Sequence, residues 1–192
     1  LVTQNVAGLA DGVQHYRADT HGLELRCAFD EVPAQTQPLL LLGLSSVHWR
    51  EAWKYGERAF RYCQHDVGHA LAAVSFAAAV LGWRVQLVTT VGDAALAQLL
   101  GLDRQDEFVA DETEHPDLLL QIHTGDAAQN SALDLPALLQ SARLGLWHGC
   151  ANVLDRRHFY QWPVIDAVTH TCAKPDLEIA PVPALDSLPP PL

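Results

Sequence analysis

Two histidines, His65 and His69, stand four residues apart in HDVGH, a spacing that places both on one face of a helix. Two imidazoles at this spacing can chelate zinc, as they do in HExxH metalloproteases. Here the acid between them is Asp66, one methylene shorter than the glutamate such a site uses as its base, and no third ligand stands at a recognisable spacing. We therefore expect no metal site and interpret Asp66 as a residue of the helix start, with a zinc module as the alternative.

Lys54 and Tyr55 form a second candidate pair, at the start of the basic and aromatic segment KYGERAFRY. At the mouth of a pocket, such a pair can do acid–base chemistry, because the tyrosine donates a proton and the charge of the lysine lowers the pKa of the tyrosine. The same residue types also fit a solvated basic face with aromatic side chains packed beneath it. Both interpretations stay open.

Gly92 follows a predicted strand in TTVGD, and a glycine there lets the backbone approach a flat or phosphorylated ligand closely. The sequence contains no GxGxxG, GxxxxGK[ST] or GxSxG motif, so it gives no support to a Rossmann fold, a phosphate-binding P-loop or an α/β-hydrolase. The acidic segment DEFVADETEHPD is most simply a solvated loop.

The elements that must position these residues mix strands and helices without strict alternation, which favours an α+β fold. A hairpin is predicted over 13–27, a strand or helix start over 37–44, and strands over 84–93 and 117–125. Ser45 or Ser46 is expected to cap a helix that Gly56 ends, and Asp93 a helix that Gly101 ends. Helices are also predicted in LPALLQSARLGLWHG and in WPVIDAVTHTC, the latter with Pro163 in its first turn.

A longer helix is predicted from about Glu57 to Leu81, and from Ala70 onward it is apolar on every side. The run from Ala70 to Trp83 is shorter than the roughly 18–20 residues that a membrane-spanning helix needs. We therefore expect no membrane span. The pattern predicts either a central helix wrapped by protein or a helix buried at a subunit interface.

The composition is that of a globular protein, with 192 residues, 49% hydrophobic and 18% charged. The net charge of −11 argues against nucleic acid as a partner, because a duplex binder needs a basic face. No signal peptide is recognised at the start, and the four scattered cysteines contain no CxxC, so we expect a cytoplasmic protein with reduced, mostly buried thiols. The tail KPDLEIAPVPALDSLPPPL has the composition of a proline-rich linker.

In their order along the chain, these segments resemble the nitroreductase superfamily of flavin enzymes, and within it the SagB-type dehydrogenases. The similarity is carried by VAGLADGVQHYRADTHGLEL, WKYGERAFRY, DVGHALAAVSFAAAVLGW, VTTVGDAALAQLLGLD and HPDLLLQIHTG. Each motif alone is loose, but the ordered set is fairly specific, and it covers roughly residues 5–125.

The resemblance implies an α+β nitroreductase-like fold, with FMN bound at a dimer interface and NAD(P)H as a candidate electron donor. It implies catalytic roles for Lys54 and Tyr55, the pair that azoline-oxidising members of the branch use. It also implies cofactor binding by Gly68, His69, Thr90, Val91 and Gly92, and no metal. The substrate would be a small molecule or a peptide, and the partner a second copy of the chain or a second nitroreductase-like half.

Some departures from the family pattern are visible. The N-terminal arginine segment that holds the FMN phosphate in the family is absent, and Ala72 and Ala73 replace the polar pair that often follows the GH motif. We expect residues 1–125 to be the C-terminal portion of a nitroreductase-like domain with a central buried helix. Residues 126–192 would form a helical connector and proline-rich tail. The alternative is a degenerate, non-catalytic half that serves as a dimerisation or scaffold module.

Overall fold

The fold is organised around one antiparallel sheet. The structure is a computed structural model, and it describes residues 1–30, 37–109, 112–124, 133–155 and 157–177. The strands in these ranges are β1 (Val2–Gln4), β2 (Gly12–Arg17), β3 (Gly22–Ala28), β4 (Leu39–Ser46), β5 (Arg84–Leu87), β6 (His115–His123) and β7 (Leu146–Trp147). Within the described residues they form a seven-stranded sheet in the order β5-β6-β4-β1-β2-β3-β7, and each pairing is antiparallel.

Helices complete an α+β architecture, which confirms the expected fold class. They are α1 (His48–Tyr55), α2 (Ala59–Val80), α3 (Asp93–Leu100), α4 (Leu135–Leu144) and α5 (Pro163–Thr171), with short 3-10 turns at Gly56–Arg58 and Gln105–Glu107. The main core cluster lies where α3 and α4 pack on the sheet, and its fully buried leucines include Leu41, Leu99, Leu119 and Leu138.

The predicted hairpin is confirmed, since β2 and β3 pair from Gly12↔Ala28 to Arg17↔Gly22. The apolar block whose class the periodicity left open is strand β4, which lies between β1 and β6. Gly56 ends α1 with a positive φ of 57°, and Gly101 ends α3 with a φ of 76°. Pro163 occupies the first turn of α5, as expected.

The expected serine cap of α1 is wrong. Val47 precedes the helix and makes no side-chain cap. The hydroxyl of Ser45 hydrogen-bonds to Glu114, and Ser46 Oγ donates to Asp117 Oδ2 at 2.6 Å. Both serines are therefore used by residues near the start of β6, about seventy positions away in the chain. The cap predicted for α3 is also displaced, because Gly92 is the N-cap and Asp93 is the first helical residue.

The segment after residue 132 was expected to be helical, but its helix α4 stops at Leu144 and the chain turns into strand β7. Gly145 permits this turn: a Cβ there would lie 2.6 Å from both Ala28 O and Cys27 Sγ, so only glycine allows the close approach. β7 then pairs with β3, where Cys27 faces Trp147. The domain boundary at 125 stays a prediction.

Helix α2 is largely exposed within the single chain, so the expectation of a helix wrapped by this chain on every side is wrong. Its buried residues are Ala59, Cys63 and Ala78, whereas Phe76 is 75% exposed and Val80 87% exposed. The other expectation, burial at a subunit interface, stays a prediction. In the part of the chain that the structure describes, no helix combines the length and apolar character needed to cross a bilayer.

Candidate functional site

Lys54 and Tyr55 lie side by side at the C-terminal end of α1. Lys54 Nζ is 4.8 Å from the centroid of the Tyr55 ring, a cation–π distance. A hydrogen bond with Tyr55, followed by the charge interactions with Tyr55 and Glu51, raises the pKa of Lys54. The lysine is exposed and the tyrosine is half-buried. The pair therefore presents a protonated amine beside a phenol at the surface, the arrangement that acid–base chemistry requires.

Tyr55 also contacts the first turns of α2. The ring of Tyr55 packs against the ring of Tyr62, with centroids 4.5 Å apart. His69 follows Tyr62 by seven residues, two helical turns, so it lies about 10 Å further along the same face of α2. Gly68 beside it faces open space, and a Cβ there would meet nothing within 4 Å. Two of the predicted cofactor residues thus lie on an open helix surface.

The remaining predicted cofactor residues, Thr90, Val91 and Gly92, lie between β5 and α3, and residues 174–177 run directly across them. We call residues 90–93 the loop and residues 174–177 the strap. The strap makes five hydrogen bonds to the loop. They are Gly92 N to Asp176 Oδ1 (2.6 Å), Asp93 N to Lys174 O (2.8 Å), Lys174 N to Asp93 Oδ2 (2.9 Å), Lys174 Nζ to Val91 O (2.8 Å) and Leu177 N to Thr90 O (3.0 Å).

The strap also fills the space beside Gly92. A Cβ on Gly92 would lie 2.5 Å from Asp176 N, 2.6 Å from the Pro175 carbonyl carbon and 2.8 Å from Lys174 O. Gly92 does allow a close backbone approach, as predicted, but the group that approaches it is the strap of the same chain and not a ligand. As it stands, the loop does not fit a cofactor that would use the Gly92 N–H. Among the described residues, no hydrogen bond, ion pair or ring contact joins this loop to Lys54, Tyr55 or His69.

Residues 7–110 match the family model described as the nitroreductase family, which is more than half of the chain. The chain belongs to the nitroreductase family. Members of this family are flavin-using oxidoreductases in general, and the matched range contains Lys54, Tyr55, the GH pair and the loop. Comparisons with curated proteins and with solved structures gave no significant match.

Sequence reasoning missed Glu112, which anchors the segment after β7 of this nitroreductase-family chain. Its side chain is 1% exposed. The carboxylate accepts hydrogen bonds from Arg50 and from the backbone N–H groups of Leu154 and Asp155. It also lies 3.0 Å from His158 Nε2. Burial alone would raise the pKa of Glu112, but these bonds outweigh it and lower that pKa to about 2. The expectation that this acidic segment is merely solvated is wrong at Glu112.

The segment that Glu112 holds forms one wall of a cleft against α1. The cleft has a volume of about 380 Å³, and its lining is mainly aromatic: Trp49, Trp53, Leu154, Asp155, Arg157, Phe159 and Tyr160. Trp49 Nε1 donates to Tyr160 O at 3.3 Å across it. Trp53, one of the lining residues, directly precedes Lys54 on α1. No single residue pattern in the sequence marked the cleft, since its two walls are about a hundred residues apart.

On the other side of α1, the rings of His48 and His115 stack with centroids 4.7 Å apart. Burial, and then the charge of His115, lowers the pKa of His48 to about 4, and burial lowers that of His115 as well. Thr169 Oγ1 hydrogen-bonds to His48 Nδ1 at 3.1 Å, whereas His48 Nε2 is buried without a partner. Both imidazoles are therefore neutral near pH 7.

The two histidines first considered as zinc ligands lie on the exposed face of α2. His69 Nδ1 is 3.8 Å from Asp66 Oδ1, and its side chain is 84% exposed. Over the described ranges, no group of three His, Cys, Asp or Glu side chains is placed to hold a metal ion. Of the four cysteines, all free thiols, Cys27 and Cys63 are buried, while Cys150 and Cys172 are exposed rather than buried as expected.

Proposed function

We propose that this chain is part of an FMN-dependent oxidoreductase of the SagB-type dehydrogenase class, acting on a small molecule or a peptide. The observation that carries the proposal is the contact between Lys54 Nζ and the Tyr55 ring within the family-matched range. FMN would supply the electron transfer when bound, with NAD(P)H as the candidate donor. The chain would supply proton handling and orientation.

In this proposal, Tyr55 gives or takes a proton at the substrate. Lys54 holds a positive charge 4.8 Å from the ring and thereby favours the phenolate during the transfer. The ring of Tyr62, packed on Tyr55, keeps the phenol in place. The aromatic cleft beside Trp53 is the surface on which we expect the substrate to lie, because its rings can pack against flat or apolar groups.

The exposed face of α2 supports a dimer or a pairing with a second nitroreductase-like half. Phe76, Val80 and Leu81 are each at least 60% exposed and lie near one another at the end of the helix. A solvent-exposed apolar cluster of this kind is typical of an interaction site. A second subunit there would bury the helix that the sequence pattern predicts to be buried.

The absorbance spectrum of the purified full-length protein tests the proposal. We expect flavin bands in the near-ultraviolet and blue, and release of FMN rather than another flavin on denaturation. A colourless protein that also fails to take up added FMN would count against the proposed function.

The second candidate is a non-catalytic nitroreductase-fold half that serves as a dimerisation or scaffold module. The observation that favours it is the strap, which uses the Gly92 N–H and fills the space beside it. In this case the chain would form a stable dimer but would not bind flavin. Flavin-dependent reduction of a quinone or a nitroarene by this chain would rule the candidate out.

A further inference from the structure

We propose that residues 174–177 are a releasable strap that competes with flavin for the loop at residues 90–93, so that the structure shows the closed, flavin-excluding state. The inference rests on the proposed function, because it takes the loop to be a flavin-binding loop. It adds a regulatory contact made by a segment outside the family-matched range 7–110.

The competition follows from shared hydrogen-bond donors and shared space. The N–H groups of Gly92 and Asp93 open helix α3, and both point at the strap, one to Asp176 Oδ1 and the other to Lys174 O. Donors at a helix start favour an anionic or carbonyl acceptor. The Asp176 carboxylate is such an acceptor. A ligand that uses the Gly92 N–H therefore has to displace it.

The steric contacts give the same result. Strap atoms lie 2.5–2.8 Å from the position that a Cβ on Gly92 would occupy, so the glycine face is in full contact with the strap backbone. No second group fits between the strap and this face. The loop is either closed by the strap or open to a ligand.

The strap is held in a way that allows release. Pro175, Asp176 and Leu177 are exposed, and Leu177 keeps half of its surface in water. The contacts to the loop are hydrogen bonds with little apolar burial, and water can replace such bonds at small net cost. Segments of this kind open locally without unfolding the rest of the domain. A ligand that binds only the open loop therefore shifts the equilibrium away from the closed strap.

The test compares FMN affinity and loop protection in the full chain and in strap variants. Asp176→Ala removes the acceptor of the Gly92 N–H, and Leu177→Pro independently removes the donor to Thr90 O. We expect each to bind FMN about tenfold more tightly than the unaltered chain, as loss of one competing hydrogen bond predicts. We also expect faster amide hydrogen exchange at Gly92 in both variants without FMN.

Two controls accompany these variants. Asp176→Asn keeps an oxygen that can accept from Gly92 N, so its FMN affinity should stay within about threefold of the unaltered chain. Asp19→Ala removes an exposed aspartate of the β2–β3 turn that pairs with Arg17, and it should change neither readout. Because Asp176→Ala and Leu177→Pro alter different contacts, a folding defect in one leaves the other informative.

The outcomes separate this inference from the proposed function. If the unaltered chain and both strap variants bind FMN equally, the inference that the strap competes with flavin is wrong, and the flavin function stays in place. Unchanged exchange at Gly92 in both variants would overturn the inference as well, because the strap would then not cover the loop. If exchange increases but no variant binds FMN, the strap is not what excludes flavin and the inference fails, while the spectrum of the full-length protein decides the proposed function.

Discussion

Nε2 of His158 lies 3.0 Å from Oε1 of Glu112, where the two side chains are 7% and 1% exposed. This contact, with Arg50 on the other carboxylate oxygen, ties α1 to the chain after β7. It therefore joins the family-matched part of the chain to the part beyond it, and Glu112 also holds Leu154 and Asp155, which line the aromatic cleft.

Replacing Glu112 with glutamine should destabilise the fold by about 3 kcal/mol, because the Arg50 guanidinium loses its counter-charge at a carboxylate that is 1% exposed and that also accepts two backbone N–H groups. Urea unfolding followed by tryptophan fluorescence measures this change. Asp106→Asn is the matched control, an exposed acid of the same segment that should shift stability by less than about 0.5 kcal/mol. Equal effects of the two substitutions would mean that Glu112 is not an anchor.

Stability should fall as the pH drops from about 6.5 to about 4 because of His48. The unfolded chain protonates this histidine near its ordinary pKa of 6.5, whereas the folded chain keeps it neutral down to a pKa of about 4, so the unfolded state binds more protons in that window. The loss amounts to about 3 kcal/mol at most. Unfolding free energies at several pH values should show a flatter slope in His48→Gln, while the exposed control His15→Gln retains the full slope.

A second acid-dependent loss is expected at lower pH from Glu112. Its pKa is about 2 in the folded state against an ordinary value of 4.5, so the stability it contributes is present above pH 4.5 and is lost as the pH falls toward 2. The Glu112→Gln protein should lack this lower step while keeping the His48 step. A single merged transition that both variants share would contradict the separation of the two groups.

Tyr55→Phe and Lys54→Ala should each lower kcat of the flavin-dependent reaction by roughly 10²-fold to 10⁴-fold, the usual contribution of a positioned acid or base. Bound FMN per chain should stay unchanged, since the pair handles protons in this proposal. Single-turnover reduction and oxidation of the flavin by stopped flow shows which half-reaction slows. Arg58→Ala, an exposed cation on the next turn, is the control. Full activity in Tyr55→Phe would remove the pair from the mechanism.

Val80→Asp should convert a dimer into a monomer, because a charge in the middle of an apolar contact is left without a partner. Val80 is 87% exposed in the single chain, so the substitution should leave the monomer fold intact. Sedimentation velocity reports the oligomeric state and circular dichroism the fold. His65→Asp places the same charge on an exposed polar position of α2 and should not dissociate the dimer. If this chain is monomeric before substitution, α2 does not form an interface between two copies of it.

Gly101→Ala should cost well over 2 kcal/mol, whereas Gly82→Ala should cost about 1 kcal/mol. Both glycines have positive φ, 76° and 72°, so both substitutions strain the backbone to a similar degree. Only at Gly101 would the new Cβ overlap a neighbour, the Trp147 ring at 2.2 to 3.0 Å, whereas nothing lies within 4 Å at Gly82. The difference in unfolding free energy between the two variants measures the packing of α3 against β7.

Local patterns predicted the elements that depend on local interactions. The β2–β3 hairpin, the glycine stops of α1 and α3 and the first-turn proline of α5 each follow from residues within a few positions of one another. The serine cap failed because Ser46 bonds to Asp117, 71 residues away, in preference to its own helix. No local rule weighs that competition.

In the candidate site, too, features that depend on neighbouring residues follow from the sequence, and features that depend on distant residues do not. Lys54 and Tyr55 are neighbours at one helix end, so the sequence alone places them together, and their role in proton transfer stays a prediction. Glu112 and the strap were missed because each depends on partners far along the chain: His158 is 46 residues away from Glu112, and Asp176 is 84 residues away from Gly92. Hydrogen-bond donors that a pattern offers to a ligand can be used by a distant segment of the same chain.

The pairing of β3 with β7 has a consequence for how the protein can be divided. Cutting the chain at the end of the family match would remove β7 and expose the backbone N–H and C=O groups of Cys27 and Ala28 along one margin of the sheet. An uncovered strand of this kind recruits strands from other molecules. Such a fragment would also lose β6, which carries the HPDLLLQIHTG motif and pairs with β4 and β5, and it would be prone to aggregate.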